Sequence, residues 1–176
     1  MNDLKTLIVF ILCFLNGYVF AQEEPKETQI EPKNIALFTF GYTHIPKGSE
    51  LDSEDANGFF VPAIGLDYIR RVSHKWRVGV MLDYELDHYL VVEKELEREN
   101  AFIVVAGVGY NPIKHLFIFS GGGIEIEGNA NLFVFRFGAE YGFHLKKQWV
   151  IAPAFFFDLK EGYDTYAISL GVGYIF

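Results

Sequence analysis

Residues 34–176 are predicted to fold as a single eight-stranded antiparallel up-and-down transmembrane β-barrel. Three observations carry that expectation. Eight runs of alternating character follow one another from residue 34 onward, each with one large apolar face and one face of small or charged residues. The chain holds 18 Phe, 10 Tyr and 2 Trp, with 51% hydrophobic residues, which is more apolar bulk than the interior of one small domain accommodates. The connections between runs alternate between short basic turns and longer or more acidic stretches. This composition excludes disorder, and a net charge of −8 excludes nucleic acid as a partner.

The first segment reads as an address. In residues 1–21 a polar start with Lys5 precedes an apolar stretch, Leu7 to Leu15, and Val19-Phe20-Ala21 offers small residues where a signal peptidase reads them. Cleavage after Ala21 would leave 176 − 21 = 155 residues. The apolar stretch is short for a spanning helix, which needs roughly 20 residues. Ile11-Leu12 are too bulky for Cys13 to be a lipidation site. Cys13 is the only cysteine, so the exported chain would have no disulfide and no thiolate ligand. Residues 22–33, QEEPKETQIEPK, read as a polar lead-in without a fold of its own.

The runs then follow in order. The first, about Ile35 to Thr43, alternates imperfectly. The second sets Phe60, Pro62, Ile64, Leu66 and Tyr68 against Val61, Ala63, Gly65 and Asp67. The third sets Trp76 through Leu86, even numbers, against Arg77, Gly79, Met81, Asp83, Glu85 and Asp87. The fourth sets Phe102, Val104, Ala106, Val108 and Tyr110 against Ile103, Val105, Gly107 and Gly109. The fifth, about Leu116 to Glu127, leaves its facing open. Its Gly121-Gly122-Gly123 lacks the Lys-Ser/Thr and helix of a phosphate loop, and reads as room for crowded side chains or as a bend. The sixth sets Phe133, Phe135, Phe137, Ala139, Tyr141 and Phe143 against Val134, Arg136, Gly138, Glu140 and Gly142. The seventh sets Trp149, Ile151, Pro153, Phe155 and Phe157 against Val150, Ala152, Ala154, Phe156 and Asp158. The eighth sets Tyr166, Ile168, Leu170, Val172, Tyr174 and Phe176 against Ala167, Ser169, Gly171, Gly173 and Ile175.

Volume decides which face is out. An eight-stranded barrel encloses a single layer of side chains, too little for the large faces. Turned outward into lipid they are satisfied, and closure pairs every backbone group in the hydrocarbon. The short turns, near 72–75, 111–115 and 144–148, are basic, and the stretches 44–58, 91–100, 128–131 and 159–164 are longer or acidic. In outer-membrane barrels the short turns are periplasmic, so 44–58 and 91–100 are expected at the cell surface and both termini in the periplasm. Beside the basic turns stand Tyr68, Trp76, Tyr110, Tyr141, Trp149 and Tyr174, a periplasmic aromatic girdle at headgroup level.

The final run, Tyr166-x-Ile168-x-Leu170-x-Val172-x-Tyr174-x-Phe176, resembles the terminal signature of the small eight-stranded outer-membrane barrels of Gram-negative bacteria. That class includes the OmpA transmembrane domain and OmpX, and the resemblance spans residues 34–176. It implies a place in the cell outer membrane, among lipid and lipopolysaccharide, and recognition by the barrel-assembly machinery. A monomer is expected, with an extracellular partner that the sequence does not name.

Chemistry is sparse. The resemblance brings in barrels that act on lipid A, but the paired His-x-Ser on one strand face that such deacylases use is missing, and Ser73-His74 lie side by side in a turn. No catalytic residue and no cofactor are assigned. Asp52 to Gly58 departs from the spacing of a calcium loop, and Glu93, Glu95, Glu97 and Glu99 read as a solvated acidic loop, so no metal site is assigned either. Alternation puts Asp67, Arg77, Asp83, Glu85, Asp87, Arg136, Glu140 and Asp158 in the lumen. Two Arg against six carboxylates imply water and cations inside. Asp67 and Arg77, summing to 144 across a turn near Ser73-His74, are expected to pair. A structural or surface-interaction barrel is the favoured reading, with a small-solute or cation pore and a lipid-modifying enzyme as alternatives.

Deleting Phe176 should lower the amount of barrel that reaches the membrane and leave the chain to periplasmic proteolysis. An unchanged membrane yield on fractionation would make the terminal pattern an ordinary strand.

Overall fold

The computed structural model describes residues 33–51, 58–145 and 148–176. The leader and the lead-in up to residue 32 lie outside them, as do 52–57 and 146–147. The strands run β1 (Asn34–Ile45), β2 (Gly48–Ser49), β3 (Phe59–Arg71), β4 (Trp76–Glu85), β5 (His88–Val91), β6 (Leu96–Glu99), β7 (Phe102–Ile113), β8 (Leu116–Ile126), β9 (Leu132–Tyr141), β10 (Phe143–His144), β11 (Trp149–Lys160) and β12 (Asp164–Ile175). The longer strands pair antiparallel with their neighbours in sequence, and β12 returns to β1. β10 carries the β9 line past Gly142 along β11, so nine strand segments make eight staves of a closed barrel. Staves of ten to thirteen residues suffice to cross the hydrocarbon when tilted.

The ring closes where the chain ends. Asn34 N donates to Phe176 O at 2.8 Å and Phe176 N to Asn34 O at 2.9 Å. Both ends of the barrel therefore share the rim that carries the turns at 72–75 and 114–115 and the described residues 145 and 148. Of the described residues, the other rim carries 46–51, 58, 86–101, 127–131 and 161–163, the asymmetry expected from the sequence.

The outer wall is the apolar face of every run. Phe38, Phe40, Leu66, Phe135, Phe155 and Ile168 are all exposed, and Phe133 reaches 75% exposure. No soluble protein leaves such a belt to water. The wall faces lipid, and the molecule is a membrane-spanning β-barrel.

Inside, much of the barrel is filled by apolar side chains. Ile35, Leu37, Ile69, Met81, Ile103, Val105, Val134 and Val150 pack with Phe117, Phe119 and Phe156 into one buried cluster. This settles the fifth run. Phe117 and Phe119 on β8 point inward, and Ile118, Ile124 and Ile126 point to lipid. Glycine makes that possible. Gly107 and Gly121 are direct partners across β7 and β8, and a Cβ on either would stand 2.9 Å from the Phe119 ring. The Phe117 ring occupies the place a Cβ on Gly109 would take. Of the triplet, Gly121 is thus space for the Phe119 ring, and the room for Phe117 comes from Gly109 on β7. Phe119 meets Phe156 edge-on at 6.4 Å and 87°.

Above the loop-side rim, β2, β5 and β6 form a separate three-stranded sheet. The acidic stretch 91–100 is therefore a hairpin rather than open loop. Its turn is the short 3-10 segment Val92–Lys94, left by Glu95 at φ 49°. The carboxylates do not share one strand face: Glu93 sits in the turn, and only Glu97 and Glu99 lie on β6.

Gly109→Val should overpack the lumen and lower barrel stability by about 1–3 kcal/mol. Adding Phe117→Ala should recover part of that loss in urea titrations followed by the gel-mobility shift of the folded barrel. A double variant as unstable as the sum of the two singles would show that the two side chains do not meet.

Candidate functional site

Two linked ionic groups occupy the half of the lumen nearer the loops. In the first, Arg136 on β9 faces Asp158, its direct partner on β11. Its Nε donates to Asp158 Oδ1 at 2.7 Å and its Nη2 to Asp158 Oδ2 at 2.7 Å, a bidentate fork. Its Nη1 reaches across to Asp83 on β4. The guanidinium also lies over the Phe156 ring at 5.4 Å, where the apolar plug begins.

The second group sits closer to the rim. Lys160 Nζ lies 2.6 Å from Glu125 Oε2 and 3.3 Å from Glu85 Oε1, and all three side chains are fully buried. Tyr89 donates to Glu85 Oε2 at 2.7 Å, and Tyr163 donates to Glu125 Oε1 at 3.0 Å. The two hydroxyls meet at 3.0 Å. Burial pushes both phenols up from the usual tyrosine range, with Glu85 adding to it at Tyr89 and Lys160 opposing it at Tyr163, so both remain protonated donors.

Arg98 completes the group from outside the barrel wall. It belongs to β6 of the hairpin, yet its side chain is wholly buried. It pairs with Glu125, donates to Glu127 Oε2 at 3.0 Å and donates to the Ala130 carbonyl at 2.6 Å. Around it Ile45, Val61, Tyr89, Val91, Leu132 and Tyr163 form a second apolar cluster. The hairpin therefore lies across the mouth, held by an ionic bolt inside an apolar collar. Between the two groups and the plug is a cavity of about 30 Å³ lined by Thr39, Asp67, Asp83, Arg136 and Ser169 among others. That is room for a water molecule or two.

The lumen assignments divide. Asp67, Arg77, Asp83, Glu85, Arg136, Glu140 and Asp158 all point inward. Asp87 lies beyond β4, where its Oδ1 accepts the His88 backbone N–H at 2.8 Å, so it belongs to the loop. The expected charge count is corrected as well. Lys160 and Arg98 enter the interior and Glu125 joins the acids, so every carboxylate of the rim group has a cation beside it. Lys160 was within reach of the alternation, two residues past the inward Asp158, whereas Glu125 lies on the fifth run, whose facing the alternation left open. Arg98 carries no such signal, because only the fold of the hairpin brings it in.

The Asp67–Arg77 pair is overturned. The hairpin register sets Asp67 opposite Met81 and Arg77 opposite Arg71, a sum of 148. Val72 N and Ser73 N both bond to Trp76 O, which centres the register on His74, so the partner of Asp67 is Met81, four residues from Arg77. The charges acting on Asp67 are Asp83, Glu140 and Arg136. Arg77 lies instead over the Phe117 ring at 5.3 Å.

Outside, the six girdle residues stand at the turn end as two packed pairs and two singles. Trp76 packs on Tyr110 at 5.1 Å and Trp149 on Tyr174 at 5.4 Å, each pair being direct strand partners. Tyr68 donates to Asn34 Oδ1 at 2.9 Å, and Tyr141 lies 4.9 Å from Phe143. Tyr166, Ile168, Leu170, Val172 and Tyr174 line the outward face of β12, with Phe176 just past it. Ser73 Oγ accepts the Trp76 N–H at 3.0 Å and serves the turn. Glu93 pairs with Lys47, and Glu97 lies 2.6 Å from His88 Nε2. Among the described residues no group of three or more His, Cys, Asp and Glu is placed to hold a metal ion.

Arg98→Met leaves Glu125 and Glu127 without their guanidinium and should cost about 3–5 kcal/mol of barrel stability. Arg98→Met with Glu125→Gln should cost less than the single change, read by urea titration in micelles. Equal losses would mean that Arg98 does not compensate Glu125.

No protein-family model matches the chain, and no curated protein matches its sequence. Solved structures do. Ail, the attachment invasion locus protein of Yersinia pestis, aligns with a TM-score of 0.56 at 13% identity, over 84% of this chain and 100% of that one. Ail in complex with the heparin analogue sucrose octasulfate aligns with a TM-score of 0.57 at 13% identity over the same shares. The N-terminal β-barrel domain of Pseudomonas aeruginosa OprF gives 0.49 at 11% identity, over 81% of this chain and 97% of that one. The closed ring, the lipid-facing wall and this likeness agree: the chain has the fold of the small eight-stranded outer-membrane barrels.

Proposed function

We propose that this protein is an outer-membrane surface barrel, closed to solutes, whose membrane-embedded ring serves to present the β2–β5–β6 sheet outside the cell. The observation that carries the reading is the hairpin itself. A loop that met nothing would not need a buried ionic bolt, whereas a binding platform gains from being held rigid. The lumen beneath supports a closed state, since an apolar plug and two ionic groups fill it. This favours a presenting role over the pore.

The platform's charge sets its partner's. Glu93, Glu95, Glu97 and Glu99 are exposed on the hairpin against one exposed cation among them, Lys94, while Arg98, between Glu97 and Glu99, is turned inward. The Ail complex holds a sulfated heparin analogue. An acidic hairpin repels polyanions of that kind and suits a cationic protein surface instead.

Two measurements test the reading. Trypsin or a Glu-specific protease added to intact cells should cleave at the tip, Glu93 to Glu95, and leave Lys114 uncut. In a planar bilayer the purified barrel should show no steady channel steps. Cleavage at Lys114 in intact cells would invert the topology, and a steady conductance would return the pore to first place.

A further inference from the structure

The basic turns noted in the sequence are not used by the platform, and the barrel brings several of them to one point. At the turn-end mouth a cavity of about 10 Å³ is lined by Arg77, Lys114, His115, His144 and Glu140, with Phe117 at its base. We propose that this mouth binds a phosphate group.

Arg77 is the central observation. It points into the lumen, is only 8% exposed, and its Nε has no hydrogen-bond partner among the described residues. A buried donor left so is costly and calls for an acceptor. Its direct strand partner is Arg71, whose charge repels it, and Glu140 is the carboxylate lining the same cavity among the described residues. Like charges placed directly opposite on a sheet are destabilising unless an anion lies between them. Three further basic side chains line the same cavity. The His115 and His144 rings are 5.4 Å apart. His115 Nδ1 lies 3.1 Å from the Gly142 carbonyl, which can only accept, so that nitrogen carries the proton. Lys114 stands beside them in the β7–β8 turn and is exposed.

With its Nδ1–H on that carbonyl, His115 can donate to a ligand only from a protonated Nε2, so Arg77 and Lys114 are the fixed donors. The basic groups come from three different hairpins, so the ligand must offer oxygens in several directions. A phosphate does so, and the planar fork of Arg77 matches two of its oxygens. A carboxylate has too few. The cavity admits one oxygen and leaves the rest of the group at the open mouth. Free phosphate and a phospholipid headgroup from the adjoining leaflet share this chemistry.

The test uses the full chain folded in alkyl maltoside micelles, which contain no phosphate. Its heat-unfolding midpoint is followed by gel mobility as inorganic phosphate replaces chloride at constant ionic strength. A parallel series adds short-chain phosphatidylglycerol. A saturable rise is expected in at least one series; inorganic phosphate alone identifies the free anion, and the lipid alone identifies the headgroup. Arg77→Met and Lys114→Met should each raise the half-saturating concentration about tenfold. Lys47→Met, at the opposite rim, should leave it unchanged. Because Lys114 is exposed in a turn, its variant reports even where Arg77→Met fails to fold. No saturable rise in either series overturns the proposal. So does an equal response from Lys114→Met, which would mark a general salt effect on stability.

Discussion

Closure of the hydrogen-bonded ring in hydrocarbon is the constraint from which the rest of this molecule follows. Lipid offers no partner to a free backbone N–H or C=O, so every stave must pair on both sides and β12 must return to β1. Eight staves then fix a circumference, and the circumference fixes a lumen one side chain deep. Large residues go outside because only lipid has room for them. Glycine becomes necessary inside wherever a ring such as Phe117 or Phe119 must lie across a neighbouring strand.

The same narrowness governs charge. An ion in the lumen has little water to turn to, so each must find its counter-ion along or across the barrel. Arg136 does so by spanning from Asp158 on one stave to Asp83 on the opposite side. Lys160 does so between Glu85 and Glu125. Glu125 shares a second cation, and the chain supplies it from the hairpin through Arg98. A need created in the barrel interior thereby fixes the position of a surface element. The two buried tyrosines add neutral donors where a further cation would be in excess.

The two rims answer to different surroundings. At the loop rim, charge is paired inside and acidic on the outward hairpin. At the turn rim, Arg77 and Lys114 gather with Glu140 as the carboxylate among them, Arg71 stands opposite Arg77, and the Trp76–Tyr110 and Trp149–Tyr174 contacts mark headgroup depth outside. Cationic side chains level with headgroups are well placed for anionic chemistry. Acidic side chains on the other side suit partners in solution.

Period-two alternation made the staves, their order and most of their facing legible, because a strand has only two faces and one of these could not fit inside. It also placed seven of the eight named lumen charges correctly. It failed at the fifth run, where Phe117 and Phe119 resemble a lipid face and only the glycines opposite them on β7 admit them inward. It failed at the Asp67–Arg77 pair, since a turn centred on His74 instead of just before it shifts the whole register. Arg98 had no readable signal at all. The sequence by itself determined a closed membrane barrel, since local alternation and total apolar volume are properties of composition and order. Which ions meet, and which loop closes the mouth, only the tertiary structure decided, because those contacts join residues whose separation along the chain carries no period.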